Sequence, residues 1–243
     1  MNKETVIKVT NATVRFNKAT EQYNGLKEYV IKMLKGELMF QEFLALKDVN
    51  LEVKKGESWG LIGTNGSGKS TLLKLICGIL KPYKGTVEVH GNIAPLIELG
   101  AGFDGELTAR ENIYLNGALL GHKKAFMAQH FDEIIEFAEL QDFVDVPLKN
   151  FSSGMAARLG FAVATIVKPE ILIVDEVLAV GDAAFQEKCK QRMEKMLAGG
   201  TTLLFVSHSI DQVKELCHNV IWLDKGVVKA IGKAEDVISL YID

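Results

Sequence analysis

Trp59-Gly60-Leu61-Ile62-Gly63-Thr64-Asn65-Gly66-Ser67-Gly68-Lys69-Ser70-Thr71-Leu72-Leu73-Lys74-Leu75-Ile76 reads as an apolar strand, a glycine-rich turn and the opening of a helix. Its centre fits G-x-x-x-x-G-K-[ST] without a mismatch, and a strand before with a helix after is the context that motif requires. Glycines let successive backbone N–H groups turn toward one anion, and the positive end of the following helix adds about half a unit charge. Lys69 is expected to reach the β- and γ-phosphates of a nucleotide and Ser70 to ligate Mg²⁺. A glycine-rich turn with a chance lysine is the competing account, and the placement between strand and helix argues against it.

Outward from this loop, 243 residues suffice for one well-buried α/β domain, and two independent domains would be crowded. A net charge of -3 and 48% hydrophobic content give no overall bias toward nucleic acid or anionic membrane. No uncharged apolar run reaches the ~18 residues of a membrane span, and Met1-Asn2-Lys3-Glu4 lacks the apolar core of a signal peptide. The expected compartment is the cytoplasm. Cys77, Cys189 and Cys217 lack the spacing of a zinc site or a redox pair and read as reduced, packing cysteines. The histidines form no ligand cluster, so nucleotide-bound Mg²⁺ is the only metal expected.

Strands are expected at 6–9, 49–53, 59–62, 85–89 and 93–97, the second alternating as in a half-buried antiparallel sheet. Between the first two, Leu26, Tyr29, Val30, Met33 and Leu34 follow a helical period between Gly25 and Gly36, an inserted amphipathic helix over about 26–35. Helical patterns follow at 109–120, 126–138 and 153–167. Apolar strands at 171–174, 202–206 and 220–223, separated by helical stretches, predict a parallel crossover sheet. Asp224-Lys225-Gly226 signals a tight turn into a closing hairpin.

Three further features bear on chemistry. The strand 171–174 ends in Asp175-Glu176, where burial of the strand fixes both carboxylates. Asp175 is expected to hold Mg²⁺, directly or through water, and Glu176 to orient or deprotonate a water beside the γ-phosphate. Val206-Ser207-His208 closes the next strand and places His208 at the same carboxyl edge, where such sheets bind ligands. Phe151-Ser152-Ser153-Gly154-Met155 precedes a helix, so Ser152 and Gly154 offer N–H donors at a second positive helix end. One nucleotide needs one cradle. Two on one chain suggest that the second completes another copy's nucleotide, although a routine helix cap accounts for the serine alone.

In this order, phosphate loop, serine–glycine pair, strand-Asp-Glu, Asp182 loop and His208, the chain resembles the ATP-binding subunits of ABC transporters over essentially its whole length. The family's signature reads Leu-Ser-Gly-Gly-Gln; here Ser152 and Gly154 keep the contact positions, while Phe151, Ser153 and Met155 depart from it. Ala179-Val180-Gly181-Asp182 occupies the D-loop. Asp-Glu-Val-Leu-Ala-Val-Gly-Asp from Asp175, Leu99-Gly100-Ala101-Gly102-Phe103 and Leu107-Thr108-Ala109-Arg110-Glu111-Asn112-Ile113 together resemble the polysaccharide exporters of O-antigen and wall teichoic acid.

The resemblance implies an α/β P-loop NTPase fold of ABC type, with a RecA-like core sheet, an antiparallel β subdomain and a helical subdomain. On that scheme 1–97 and 168–243 form the nucleotide-binding core of one domain, and 98–167 the helical signature part. It implies ATP and Mg²⁺ as ligands, a homodimer, and a polytopic transmembrane channel subunit that holds the protein at the cytoplasmic face of the cell membrane. The lipid-linked glycan would be met indirectly, and no nucleic acid is implied. Glu98 aligns with the glutamine of the Q-loop, an acid able to bind Mg²⁺ or water but not to donate as an amide. Phe16 is the best match to the ring that stacks on adenine, with Tyr23 and Phe43 as competitors and a packing role also open. The helix at 26–35 either packs on the sheet or meets the channel near the entry of the glycan, its lysines facing anionic headgroups. The chain ends at Asp243, soon after the core elements, so an appended carbohydrate-binding domain is not expected. Transport of another substrate, or a soluble ATPase acting on nucleic acid or ribosomes, are the alternatives; a single unit without heptads or a basic tail argues against the second.

Overall fold

The computed structural model describes residues 4–19, 40–96, 100, 102–175, 181–207 and 209–242. The expected helix at 26–35, Tyr23, Glu98, Glu176 and His208 lie outside the described residues. Two sheets organise the described residues. Strands β1 (Thr5–Ala19), β2 (Phe40–Lys54) and β4 (Lys84–Val89) form an antiparallel sheet in the order β2-β1-β4. Strands β3 (Ser58–Ile62), β5 (Ile93–Leu96), β6 (Ile171–Asp175), β7 (Thr202–Val206), β8 (Asn219–Asp224) and β9 (Val227–Lys233) form the second, in the order β5-β6-β7-β3-β8-β9. All its pairings are parallel except the β8–β9 hairpin, whose turn places Lys225 and Gly226 at φ 47° and 80°.

The near-continuous apolar runs of β6 and β7 suit strands covered on both faces. Alternate side chains divide between two cores. Ile171, Ile173, Leu204, Val206, Ile221 and Leu223 face the antiparallel sheet and helix α1 (Lys69–Ile76), which contributes Leu72, Leu73, Leu75 and Ile76. Leu172, Val174, Leu203, Phe205 and Val220 face the other way, toward α2 (Ala109–Leu119), α3 (Lys124–Gln129), α4 (Phe131–Ala138), α5 (Ser153–Ala164), α6 (Ala183–Ala198), α7 (Ile210–Leu216) and α8 (Ala234–Ile242). Among the described residues, no helix is long and apolar enough to cross a membrane.

Several bounds differ from the sequence reading. The pattern at 126–138 is two helices, because the backbone at His130 leaves the helical region (φ -103°, ψ 6°) where its ring packs on Phe126 at 4.4 Å. The helix expected over 153–167 stops at Ala164: the Thr165 hydroxyl donates to the Phe161 carbonyl at 2.7 Å, and Pro169 follows. Strands β1 and β2 run 15 residues each, far past their apolar stretches. Polar pairs bridge the added length, among them Arg15–Glu42 at 2.6 Å and Thr13–Asp48 at 3.2 Å. The closing helix α8, absent from the sequence expectations, buries Val237 and Ile238 and sets Tyr241 edge-on against Trp222 at 5.4 Å.

The sheet order brings the chemistry together. Leu61 of β3 and Asp175 of β6 both register against Val206 of β7, so the loop after β3 and the acid ending β6 share one carboxyl edge, two strand spacings or about 10 Å apart.

Candidate nucleotide site

The loop between β3 and α1 is shaped by three glycines with positive φ: Gly63 at 143°, Gly66 at 76° and Gly68 at 110°. At Gly63 a Cβ would stand 2.1 Å from the Leu223 carbonyl oxygen, and at Gly68 it would stand 2.9 Å from that of Ala45. The β8–β9 turn braces the loop from behind, Gly226 N–H donating to the Ser67 carbonyl at 2.8 Å. Gly68 caps α1 without a side chain, which leaves the first N–H groups of the helix to an anion.

Lys69 is buried, and its ammonium donates to the carbonyls of Gly63 at 2.8 Å and Thr64 at 3.1 Å. A buried charge requires such partners. The Ser70 hydroxyl donates to Asp175 Oδ2 at 3.2 Å across 105 residues of chain. A hydroxyl and a carboxylate oxygen so placed form the hard oxygen donor set that Mg²⁺ accepts, with the remaining positions left to phosphate and water. Among the described residues no cluster of three His, Cys, Asp or Glu side chains offers a separate metal site.

Beside the loop lies a cleft of about 270 Å³ lined by Phe16, Phe43, Ala45, Asn65, Gly66, Gly68, Lys69, Ser70 and Thr71. Phe16 and Phe43 are cross-strand partners of β1 and β2, and remain 41% and 52% exposed. Directly opposed residues of an antiparallel pair share a face. Two rings therefore border the cleft, Phe16, the best match from the sequence, and its competitor Phe43.

Ser152, Gly154 and Asp182 form a second group. Ser152 caps α5 and its hydroxyl accepts from Met155 N–H at 3.2 Å. Gly154 faces open space, for a Cβ there would meet nothing nearer than Ser152 Oγ at 3.8 Å. Asp182 caps α6 by accepting from Phe185 N–H at 2.9 Å. That hydrogen bond, with the Arg158 guanidinium beside it, holds the Asp182 carboxyl below its ordinary range. Arg158 escaped the sequence reading because a charged helix residue reads as a solvated face; it joins Asp182 to α5 through a 2.6 Å ion pair.

Comparison with known proteins follows the same lines. The profile of the ABC transporter family matches residues 46–179. The chain is 45% identical to the O-antigen export system ATP-binding protein RfbB of Klebsiella pneumoniae, over 98% of each. It is 40% identical to the teichoic acids export ATP-binding protein TagH of Listeria innocua, over 95% of this chain and 70% of that one. Among solved structures, a dimeric bacterial ABC transporter cassette superposes with a TM-score of 0.71 at 26% identity, covering 94% of this chain and 98% of that one.

Proposed function

We infer the function from the premise that this chain belongs to the ABC transporter family. It is an ATPase coupled to transport, the ATP-binding subunit of an exporter of the polysaccharide class to which O-antigen and teichoic acids belong. The observation that carries the assignment of the site is the Ser70–Asp175 contact of 3.2 Å at the shared edge of β3 and β6.

Two copies would lie head to tail, each closing the other's site, beneath a polytopic membrane subunit at the cytoplasmic face. The dimeric relative supports the pairing. Residues 1–97 and 168–243 would carry the nucleotide and 98–167 the signature surface. The cargo would be a lipid-linked glycan handled by the membrane subunit.

Hydrolysis of a phosphoanhydride needs positioning and charge stabilisation more than covalent chemistry. The phosphates would take the N–H groups at the start of α1, and Lys69 would exchange the carbonyls of Gly63 and Thr64 for phosphate oxygens, replacing neutral acceptors by charged ones. Mg²⁺ held by Ser70 and Asp175 would neutralise charge on the β- and γ-phosphates. The base would lie against Phe16 and Phe43. Glu176 would align the attacking water, His208 would contact the γ-phosphate, and Glu98 would bind water or metal in place of an amide. Ser152 and Gly154 of the partner copy would supply donors from the far side, with its Asp182 nearby.

Glu176→Gln tests this reading in the complex with its membrane subunit, reconstituted with lipid-linked glycan. The variant is expected to bind ATP normally while turnover falls by about 10²–10⁴ and ATP-dependent glycan movement stops. Near-normal steady-state hydrolysis by this variant overturns the assignment.

A further inference from the structure

Arg158 lies on α5 six residues after Ser152, and its guanidinium is divided between two acids from different elements. Nη1 donates to Glu139 Oε2 at 2.6 Å and Nη2 to Asp182 Oδ2 at 2.6 Å. The side chain is 17% exposed and lies over the Phe185 ring at 4.7 Å. A Cβ on Gly181 would stand 3.4 Å from its Nε, and the φ of +81° at that position already favours glycine. Each acid is anchored independently. Asp182 Oδ1 holds the first turn of α6 through Phe185 N–H, and Glu139, the left-handed residue ending α4, also takes Lys188 at 3.1 Å. Arg158 thus ties the helix capped by Ser152 to the helix capped by Asp182.

We propose that Arg158 is a positioning residue, which makes the start of α5 and the start of α6 one rigid piece so that Ser152, Gly154 and Asp182 reach the partner copy's nucleotide together. The inference rests on the two-copy reading above. Only a fork of fixed geometry serves here, because a lysine ammonium is a point charge that does not span two carboxylates in one plane. Asp182 is 65% exposed on its side of the pair, and ion pairs open to water add little to folding stability. Loss of Arg158 therefore registers in turnover more than in the fold. It leaves the phosphate loop of its own chain untouched.

The test compares wild type, Arg158→Met, Arg158→Lys, Asp182→Ala and Arg158→Met/Asp182→Ala. Arg192→Met serves as the neighbouring control, since Arg192 pairs with Glu133 at 3.0 Å and lies over Phe137 at 3.9 Å without touching Asp182. For both Arg158 variants, affinity for a fluorescent ATP analogue is expected to stay within about twofold of wild type and KM to move little. Their kcat is expected to fall by at least about fivefold, the lower end of ordinary coupling between sites. The double variant should be no slower than the slower single, as for residues acting through one contact. Arg192→Met, which removes an ion pair similarly open to water, should leave kcat in place. Unchanged kcat in the Arg158 variants, or losses that simply multiply in the double variant, overturns the proposal. Should Arg158→Met fail to fold, Arg158→Lys decides alone. A wild-type protein that does not hydrolyse ATP overturns the function proposed above and this inference with it, whereas an active wild type with equally active Arg158 variants overturns only the inference.

Discussion

Gly63 and Gly66 occupy the same loop with the same sign of φ, and their surroundings separate what each loses on gaining a methyl. At Gly66, φ 76° with nothing within 4 Å of an added Cβ, alanine meets only the backbone penalty of about 1–2 kcal/mol. At Gly63 the Cβ would stand 2.1 Å from the Leu223 carbonyl oxygen and 2.7 Å from Ser67 Oγ, so the loop or β8 must move. Gly63→Ala is expected to abolish ATP binding and lower the melting temperature sharply, whereas Gly66→Ala should lower it modestly and still bind. Thermal melts and titration with a fluorescent ATP analogue check both; equal effects would show that the Leu223 brace is unimportant. The motif spacing made these glycines legible in the sequence. Their ranking was not legible, because it depends on a carbonyl 160 residues away. Phe43 was blurred for a similar reason: a ring 27 positions from Phe16 becomes its neighbour only through the β1–β2 register.

Helix α2 begins with a reciprocal cap. Thr108 N–H and hydroxyl both donate to Glu111 Oε2 at 2.8 Å, and the same hydroxyl accepts from Glu111 N–H at 3.2 Å. Buried Asn112 adds hydrogen bonds to the carbonyls of Asp104, Leu107 and Thr108 and accepts from Asp104 N–H. Four backbone hydrogen bonds of 2.9–3.2 Å then pair 105–110 with 144–149, directly before Ser152. The Thr108 donors hold the Glu111 carboxyl below its usual 4.5. A carboxyl lowered in the folded state stabilises fully above that usual value, and the contribution disappears as pH falls through the folded value. The stability difference between wild type and Glu111→Gln, read from urea midpoints, should therefore be constant down to about pH 5 and close at lower pH. A difference that widens in acid would disprove the cap. The start of this helix was legible because capping is local. The break at His130 and the helix at Ala234–Ile242 were not: one depends on a ring packed on Phe126, the other on Trp222 and a sheet edge that must already exist.

At the scale of the whole molecule, the described residues hold two half-sites built on different elements: the phosphate loop with Ser70 and Asp175, and the N-terminal end of α5 with Asp182. The parallel sheet was legible from its apolar runs, yet which half-site meets which is a property of two chains. Symmetry makes the question decidable, since a two-fold pair builds two equivalent sites, each from the loop of one copy and the α5 end of the other. Lys69→Ala disables a loop. Gly154→Asp disables an α5 end without harming the fold, because the position is open and a carboxylate suits a helix N-terminus while repelling phosphate. Each variant alone is expected to be inactive. In a mixed pair, one site carries both defects and the other carries neither. Random mixing should therefore restore about a quarter of the wild-type sites, read as ATPase activity after the two inactive proteins are allowed to exchange subunits. If α5 instead served the nucleotide of its own chain, every site in the mixed pair would carry one defect, and the mixture would stay as inactive as its parts.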